Sequence, residues 1–258
     1  MSTALITGAS GGIGEAFAQE LATRNTNLVL VARSGEKLNQ LASQLQDKYK
    51  IQVDVIIKDL TETAATGELF DTIKSKGLTI DILINNAGFG DYGDFAERDG
   101  ERQVKMVQLN ILALVDLTHK FLPLMRQRRS GSIINVSSIT AFQPIPYLSV
   151  YAASKAFILS FSEALWAENR SHNVRVLCVC PGPTDTNFLN EAQFPPALAG
   201  KPNQLATPEV VVRDALNALE RGDSTVVSGG FASKAIANLG KFVPRKTLVS
   251  LLQKQFKS

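Results

Sequence analysis

Residues 3–22 read TALITGASGGIGEAFAQELA: a short apolar run, glycines at 8, 11, 12 and 14, then a helix-forming stretch. That order, strand to glycine turn to helix, decides the fold. Glycine tolerates positive φ and lets backbone N–H groups approach a pyrophosphate, while the helix N-terminus adds a favourable partial charge. The spacing of Gly8, Gly12 and Gly14 is GxxxGxG rather than GxGxxG. A plain turn would use the same residues; the strand before and the helix after favour a dinucleotide.

Six more short apolar runs follow: NLVLVA (27–32), IQVDVII (51–57), DILIN (81–85), SIINVS (132–137), VRVLCVC (174–180) and STVVSG (224–229). Each is separated from the next by enough chain for a helix. In GEKLNQLASQLQDKY (35–49), Leu38, Leu41 and Leu45 recur at helical spacing. Runs that are apolar on both sides imply a sheet covered on both faces, and parallel strands need crossovers of this length. The expected fold class is therefore α/β, a doubly wound Rossmann fold with a mainly parallel sheet and helices on both faces. Ligands of such sheets bind beyond the carboxyl ends of the strands. No composition shift, linker or repeat divides the chain, so residues 1–258 read as a single domain.

The second run ends at Arg33 and Ser34, where an acidic residue normally receives the ribose 2′-hydroxyl of NAD. A guanidinium beside a hydroxyl suits the 2′-phosphate of NADP, so NADP is expected over NAD; a solvated arginine opening a helix is the plainer alternative.

Composition narrows the partners. The chain has 258 residues, 45% hydrophobic and 20% charged, which suits an ample core, and a formal net charge of +3. That charge, with no long basic tract, argues against nucleic acid. The first run begins at the second residue, leaving no room for an export signal, and no apolar run approaches the roughly 20 residues of a membrane span; a cytoplasmic protein without a transmembrane segment is expected. Cys178 and Cys180 lack CxxC spacing and read as buried thiols on one side of a strand, and His119 and His172 stand alone, so no metal site is expected.

SVYAASKAF (149–157) puts Tyr151 and Lys155 four residues apart, on the same face of any helix that forms there. With TGASGGIG (7–14), NNAG (85–88), NVSS (135–138) and YAASK (151–155) in this order, the chain resembles the short-chain dehydrogenase/reductase family as far as about Thr186. The resemblance implies a seven-stranded Rossmann sheet and a catalytic set of Asn110, Ser138, Tyr151 and Lys155, with Ser137 as the neighbouring candidate. It also implies cofactor contacts from Gly8, Ser10, Gly12, Ile13 and Gly14 at the phosphates. By the same resemblance Asp59, Asn85, Ala87 and Gly88 would lie along the adenosine half, beside Arg33 and Ser34, and Tyr151, Lys155, Pro181, Gly182, Thr184 and Thr186 would lie at the nicotinamide end. Gly11 departs from the serine common in this motif, and Gly90 and Gly93 suggest a pliable loop after NNAG.

Hydride transfer to a carbonyl leaves an alkoxide that must gain a proton, so an acid has to face the carbonyl oxygen. A phenol, with an ordinary pKa near 10, is a weak shuttle at neutral pH, and an ammonium beside it is expected to bring that value down. By resemblance, Lys155 also holds the nicotinamide ribose, Ser138 polarises the substrate oxygen and Asn110 holds a water linking Lys155 to solvent. A surface tyrosine and lysine on an amphipathic helix is the structural alternative.

The loops expected to flank the substrate, around residues 139–149 and 183–207, carry Phe142, Ile145, Pro146, Tyr147, Phe188, Leu189, Phe194, Pro195 and Leu198, and no arginine to clamp a carboxylate or phosphate. An apolar ketone, aldehyde or 3-oxoacyl-type carbonyl is expected, unless these groups only pack on the core. Residues 231–258 hold six basic residues and no acidic one. There Leu248, Leu251, Leu252 and Phe256 form an apolar stripe, for docking on the core or a partner subunit, or for association with a membrane surface. The leading expectation is NADPH-dependent carbonyl reduction. An NAD-dependent alcohol or hydroxysteroid dehydrogenase and a non-catalytic dinucleotide-sensing module are the rivals, and the family resemblance suggests a homo-oligomer.

Overall fold

The computed structural model describes residues 1–196, 198, 205–240 and 242–257. Residues 197 and 199–204 of the expected substrate loop, and 241 and 258 of the basic segment, lie outside the described residues. The first half runs β1 (Thr3–Thr7), α1 (Gly12–Thr23), β2 (Asn27–Ala32), α2 (Gly35–Tyr49), β3 (Val53–Ile57), α3 (Ala65–Ser75) and β4 (Ile82–Asn85). It continues with α4 (Gly100–Val107), α5 (Leu114–Arg128), β5 (Gly131–Val136), α6 (Ser149–Asn169), β6 (Val174–Pro181) and α7 (Phe188–Glu191). Last come α8 (Pro208–Arg221), β7 (Thr225–Ser228), α9 (Gly230–Leu239) and α10 (Arg245–Phe256).

The seven strands form one sheet in the order β3-β2-β1-β4-β5-β6-β7, and every pairing is parallel. Each apolar run splits its residues between two cores, as the two-residue period of a strand requires. Ala4, Ile6, Leu28 and Leu30 pack on one face beneath α1, α2 and α8; Leu5, Val29, Val31 and Leu83 pack on the other beneath α3, α5 and α6. This double covering is why the runs are apolar throughout rather than alternating.

The chain leaves β1 toward β2 and β3, then returns to the far side of β1 as β4. The crevice at this reversal opens beyond the carboxyl ends of β1, β4, β5 and β6. Those ends deliver Gly8, Asn86, Ser138 and Gly182, so motifs spread over 175 residues of sequence meet in one place.

Candidate active site

At the end of β1, Gly8 sits at φ 66°, and a Cβ there would lie 2.9 Å from Ala87 Cα. Gly14 is needed for a different reason: its Cβ would fall 2.3 Å from Gly8 O, so α1 can start against the turn only without a side chain. Gly11 caps α1 with no side-chain hydrogen bond, and a Cβ on it would meet nothing within 4 Å. The serine usual at that position is thus dispensable for packing. Thr186 closes the turn from the opposite side, its Cγ2 3.0 Å from where a Gly12 Cβ would be. Free N–H groups at the first turn of a twelve-residue helix, bordered by open space, fit a pyrophosphate.

Across the crevice, β5 ends in Ser137 and Ser138, and α6 presents Tyr151 and Lys155. Lys155 Nζ donates to Val136 O at 2.9 Å and lies 5.6 Å from the Tyr151 ring centroid. Ser137 Oγ donates to Lys155 O at 2.7 Å, which spends its hydroxyl on fixing the helix and leaves Ser138 to face the phenol. Asn110 lies in a π-helical turn, Gln108–Ala113, joining α4 to α5. Its Nδ2 donates to Phe89 O and to Ser154 Oγ, while its Oδ1 accepts from Phe89 N. Gly88 sits between Asn110 and Lys155: a Cβ on it would lie 2.9 Å from Asn110 Oδ1 and 3.5 Å from Lys155 Nζ.

The electrostatics correct one expectation. Burial raises the Tyr151 phenol to about 12, and the Ser138 side chain only partly opposes this. Lys155 does not bring it down: burial strips water from the ammonium and lowers it to about 8. Both groups are buried, and for each the loss of water around the charged form is the largest cause of the shift. Here Tyr151 is a neutral phenol, the form an acid requires.

Tyr151 opens into a cavity of about 470 Å³ walled by Ile145, Leu148, Phe188, Leu189, Phe194, Leu198 and Leu252. Lys155 is the one charged side chain among its described lining residues. A hollow of similar size, about 500 Å³, lies at the opposite end of the sheet around Ser2, Asp81 and Arg175; it is shallow and holds none of the motif residues. The motif residues therefore gather at the first. Helix α10 covers it, with Leu248 and Leu252 buried against Ile145, Leu148 and Tyr151. Leu251, expected on the same stripe, is 56% exposed: three residues past Leu248 fall about 60° short of a full turn, on the side of the helix turned from the core, while Leu252 on the other side of that direction is buried. Tyr92 Oη donates to Phe256 O and so clasps the end of α10, and Phe194 stacks edge-on to both aromatic rings.

The loop after NNAG is also corrected, from pliable to pinned. Asp91, its side chain wholly buried, accepts from Arg98 at 2.5 and 2.7 Å, from Arg102 at 2.9 Å and from Gln103 at 2.6 Å. Burial alone would raise this carboxyl; Arg98 and Arg102 outweigh it and hold it below the usual carboxylate range. Arg98 and Arg102 continue to Gln193 Oε1 and Glu191 O, tying the loop to α7. Gly90 packs under Phe188 and Tyr151, leaving no room for a side chain.

Of the residues expected at the cofactor, Gly12, Ile13, Gly88, Tyr151, Lys155, Pro181, Gly182, Thr184 and Thr186 line this one cavity, together with Ser138 of the expected catalytic set. Gly8, Ser10, Gly14 and Ala87 lie outside its lining, in or against the glycine turn. Arg33 and Ser34 follow β2, and Arg33 reaches Asp59, after β3, only at 3.9 Å. Ser34 caps α2 without using its hydroxyl, and the Arg33 side chain is 72% exposed. Asp59, raised by partial burial, is brought below its ordinary value by the N–H and hydroxyl of Thr61. Asn85 is a correction: it turns inward, Nδ2 donating to Thr118 Oγ1 and Asn135 Oδ1, because β4 is buried on that side. Asn86 takes its place at the crevice, donating to Thr7 O and Gly8 O. The doubled asparagine was the available signal; only strand orientation distinguishes its members. Cys178 and Cys180 point to one side, their Sγ atoms 3.8 Å apart and both thiols free.

A family model described as short chain dehydrogenase matches residues 2–195. The very-long-chain 3-oxoacyl-CoA reductase of Anas platyrhynchos is 33% identical over 97% of this chain and 78% of its own length. The protein of that name from Homo sapiens is 37% identical over 69% of this chain, which spans 58% of its length. Among solved structures, a short-chain dehydrogenase from Sphingobium yanoikuyae in complex with NADPH superposes with a TM-score of 0.84 at 31% identity, covering 97% of this chain and 95% of the other.

Proposed function

The chain belongs to the short-chain dehydrogenase/reductase family, an oxidoreductase acting between CH–OH and carbonyl groups, and from that premise we propose that it reduces an apolar ketone, aldehyde or 3-oxoacyl compound with NADPH. One observation carries the substrate class: an apolar cavity whose single described charge, Lys155, sits beside the neutral acid Tyr151. Among the described lining residues an anionic headgroup would find Lys155 alone, already tied to Val136 O, whereas a carbonyl on an apolar body fits. The neighbour of similar fold in complex with NADPH supports a nicotinamide dinucleotide as partner.

In this reading the N-terminus of α1 with Gly12 and Ile13 holds the pyrophosphate, and Arg33 with the unused hydroxyl of Ser34 receives the 2′-phosphate. Asp59 serves the adenine, and Thr184 and Thr186 the carboxamide. When bound, the nicotinamide supplies the hydride. Tyr151 gives its phenolic proton to the carbonyl oxygen as negative charge builds there, and Ser138 orients that oxygen by a second hydrogen bond. Lys155 anchors on Val136 O and keeps its remaining donors for the ribose. Asn110, fixed to Phe89 by two hydrogen bonds, holds the turn beside Lys155 in place. The exposed Val104, Leu112 and Phe157, on packed neighbouring helices, support a homo-oligomer; Leu112→Glu should lower the mass seen by analytical ultracentrifugation.

The test is cofactor consumption over a panel of ketones, aldehydes and 3-oxoacyl thioesters. Turnover with NADPH preferred to NADH is expected, and Arg33→Asp should reverse that preference. Faster turnover with NADH would favour the NAD-dependent alternative, and dinucleotide binding without any turnover the sensing one.

A further inference from the structure

Helix α7 has four residues, too few to be stable on its own hydrogen bonds, yet its Phe188 and Leu189 wall the cavity. Phe188 packs on the Tyr151 ring with the centroids 5.2 Å apart. The place of this wall is therefore set from outside the helix. Carbonyls that a helix end leaves unpaired are taken here by α4 and by the loop after β4: Arg102 Nη2 donates to Glu191 O at 2.7 Å, and Tyr92 N to Ala192 O at 2.8 Å. Gln193 ends the turn at φ 54°, a left-handed conformation that is unfavourable for a residue with a Cβ, and its Oε1 accepts from Arg98 Nη2 at 2.8 Å. The same two guanidinium groups grip the reaction side. Both donate to the buried Asp91 carboxylate, and Arg102 lies 5.0 Å over the ring of Phe89. Phe89 in turn exchanges hydrogen bonds of 3.0 and 3.1 Å with the Asn110 side chain. Neither arginine is among the described residues lining the cavity.

We propose that Arg102 and Arg98 are positioning residues: clamped by Asp91, they hold α7 against Tyr151 and keep the apolar wall of the cavity formed before a substrate arrives. A wall already in place spares the substrate the entropy of ordering that segment. Without the two ties, only the packing of Phe188 and the single bond from Tyr92 N keep α7 where it is, and its ordering falls on the binding step. Once a substrate is seated, Tyr151 and Ser138 meet it as before. Loss of the ties therefore shows in KM, with kcat left near its original value. The proposal rests on the reductase reading above.

Two variants test it. Arg102→Met keeps an apolar stem over Phe89 and leaves Asp91 its Arg98 and Gln103 partners; Gln193→Ala removes only the Arg98 tie to α7, from an exposed side chain, and decides alone should Arg102→Met not fold. Amide hydrogen exchange across residues 188–194 should quicken about tenfold in Arg102→Met and about threefold in Gln193→Ala, with β5 and α6 unchanged. With NADPH and the ketone of the panel above that turns over fastest, KM should rise by similar factors while kcat stays within about twofold. Unchanged exchange at 188–194, a rise shared equally by β5 and α6, or a fall in kcat at constant KM would overturn the proposal and leave the reductase reading standing. If nothing in the panel turns over, that reading fails, and calorimetric binding of 2-decanone replaces KM. Weaker binding to the variants than to the unaltered protein would then uphold the positioning role; equal binding, or none to any of them, would overturn it as well.

Discussion

At Tyr151 the apolar walls of the cavity are what keep the phenol protonated, so in the proposed reading position and protonation state share one cause. Tyr151→Phe should retain NADPH binding and lose roughly 10²–10⁴ in rate, the usual worth of a positioned acid; near-normal turnover would remove Tyr151 from the chemistry. Lys155 carries an effect on stability. A folded-state value of about 8 against an ordinary 10.5 means that the charged form is penalised by folding. That penalty is complete below about pH 8 and is relieved as pH rises toward 10.5. Thermal melts of the unaltered protein and Lys155→Met should show the difference moving in favour of the lysine between pH 7 and pH 10. A gap that does not change with pH would mean that the ammonium is better solvated than its burial implies. The spacing of Tyr151 and Lys155 was legible in the sequence because four residues are about one helical turn, but their titration was not, since burial comes from Phe188, Leu252 and other residues remote in sequence.

The elements around the site depend on a few buried ties. Asp91 joins the loop after β4 to α4, through Arg102 and Gln103, and both to α7. Asp91→Ala would leave Arg98 and Arg102 facing a cavity, and it should destabilise the protein by about 2–4 kcal/mol, toward the low end for buried pairs because both arginines are partly solvated. Chemical denaturation measures this directly. Because the Asp91 carboxyl is held below its ordinary value, its contribution is complete above about pH 4. The unaltered protein should lose stability more steeply than the variant as pH falls below that point; parallel acid profiles would contradict the ion-pair account. The strands and α2 were legible from apolar runs and leucine spacing, as local periodicity is a property of the chain. The π-helical turn carrying Asn110 was not, since QLNILA reads as ordinary helix and its extra residue is absorbed by packing on Phe89 and Ser154.

Over the whole molecule, the last helices both close the cavity and face outward. No helix among the described residues is long and apolar enough to cross a membrane. Leu248 and Leu252 are used internally, whereas Phe231 and Phe242 are 89% and 83% exposed within a segment rich in lysine and arginine. Such a surface should bind anionic bilayers. Phosphatidylserine vesicles are expected to sediment the unaltered protein and to release Phe231→Ser/Phe242→Ser; equal recovery of both with the vesicles would sink this. The parallel sheet covered on both faces, the glycine turn and the order of the motifs at the strand ends were readable along the chain alone, because each is written in residues close together. It took the folded chain to show which asparagine of Asn85 and Asn86 faces the crevice, that Tyr92 clasps the carbonyl of Phe256 164 residues away, and that Leu248 and Leu252 close the cavity over Tyr151. Those outcomes depend on how the crossovers bring distant surfaces together, and on which side chains are then left without water; neither is recorded in any local pattern of the sequence.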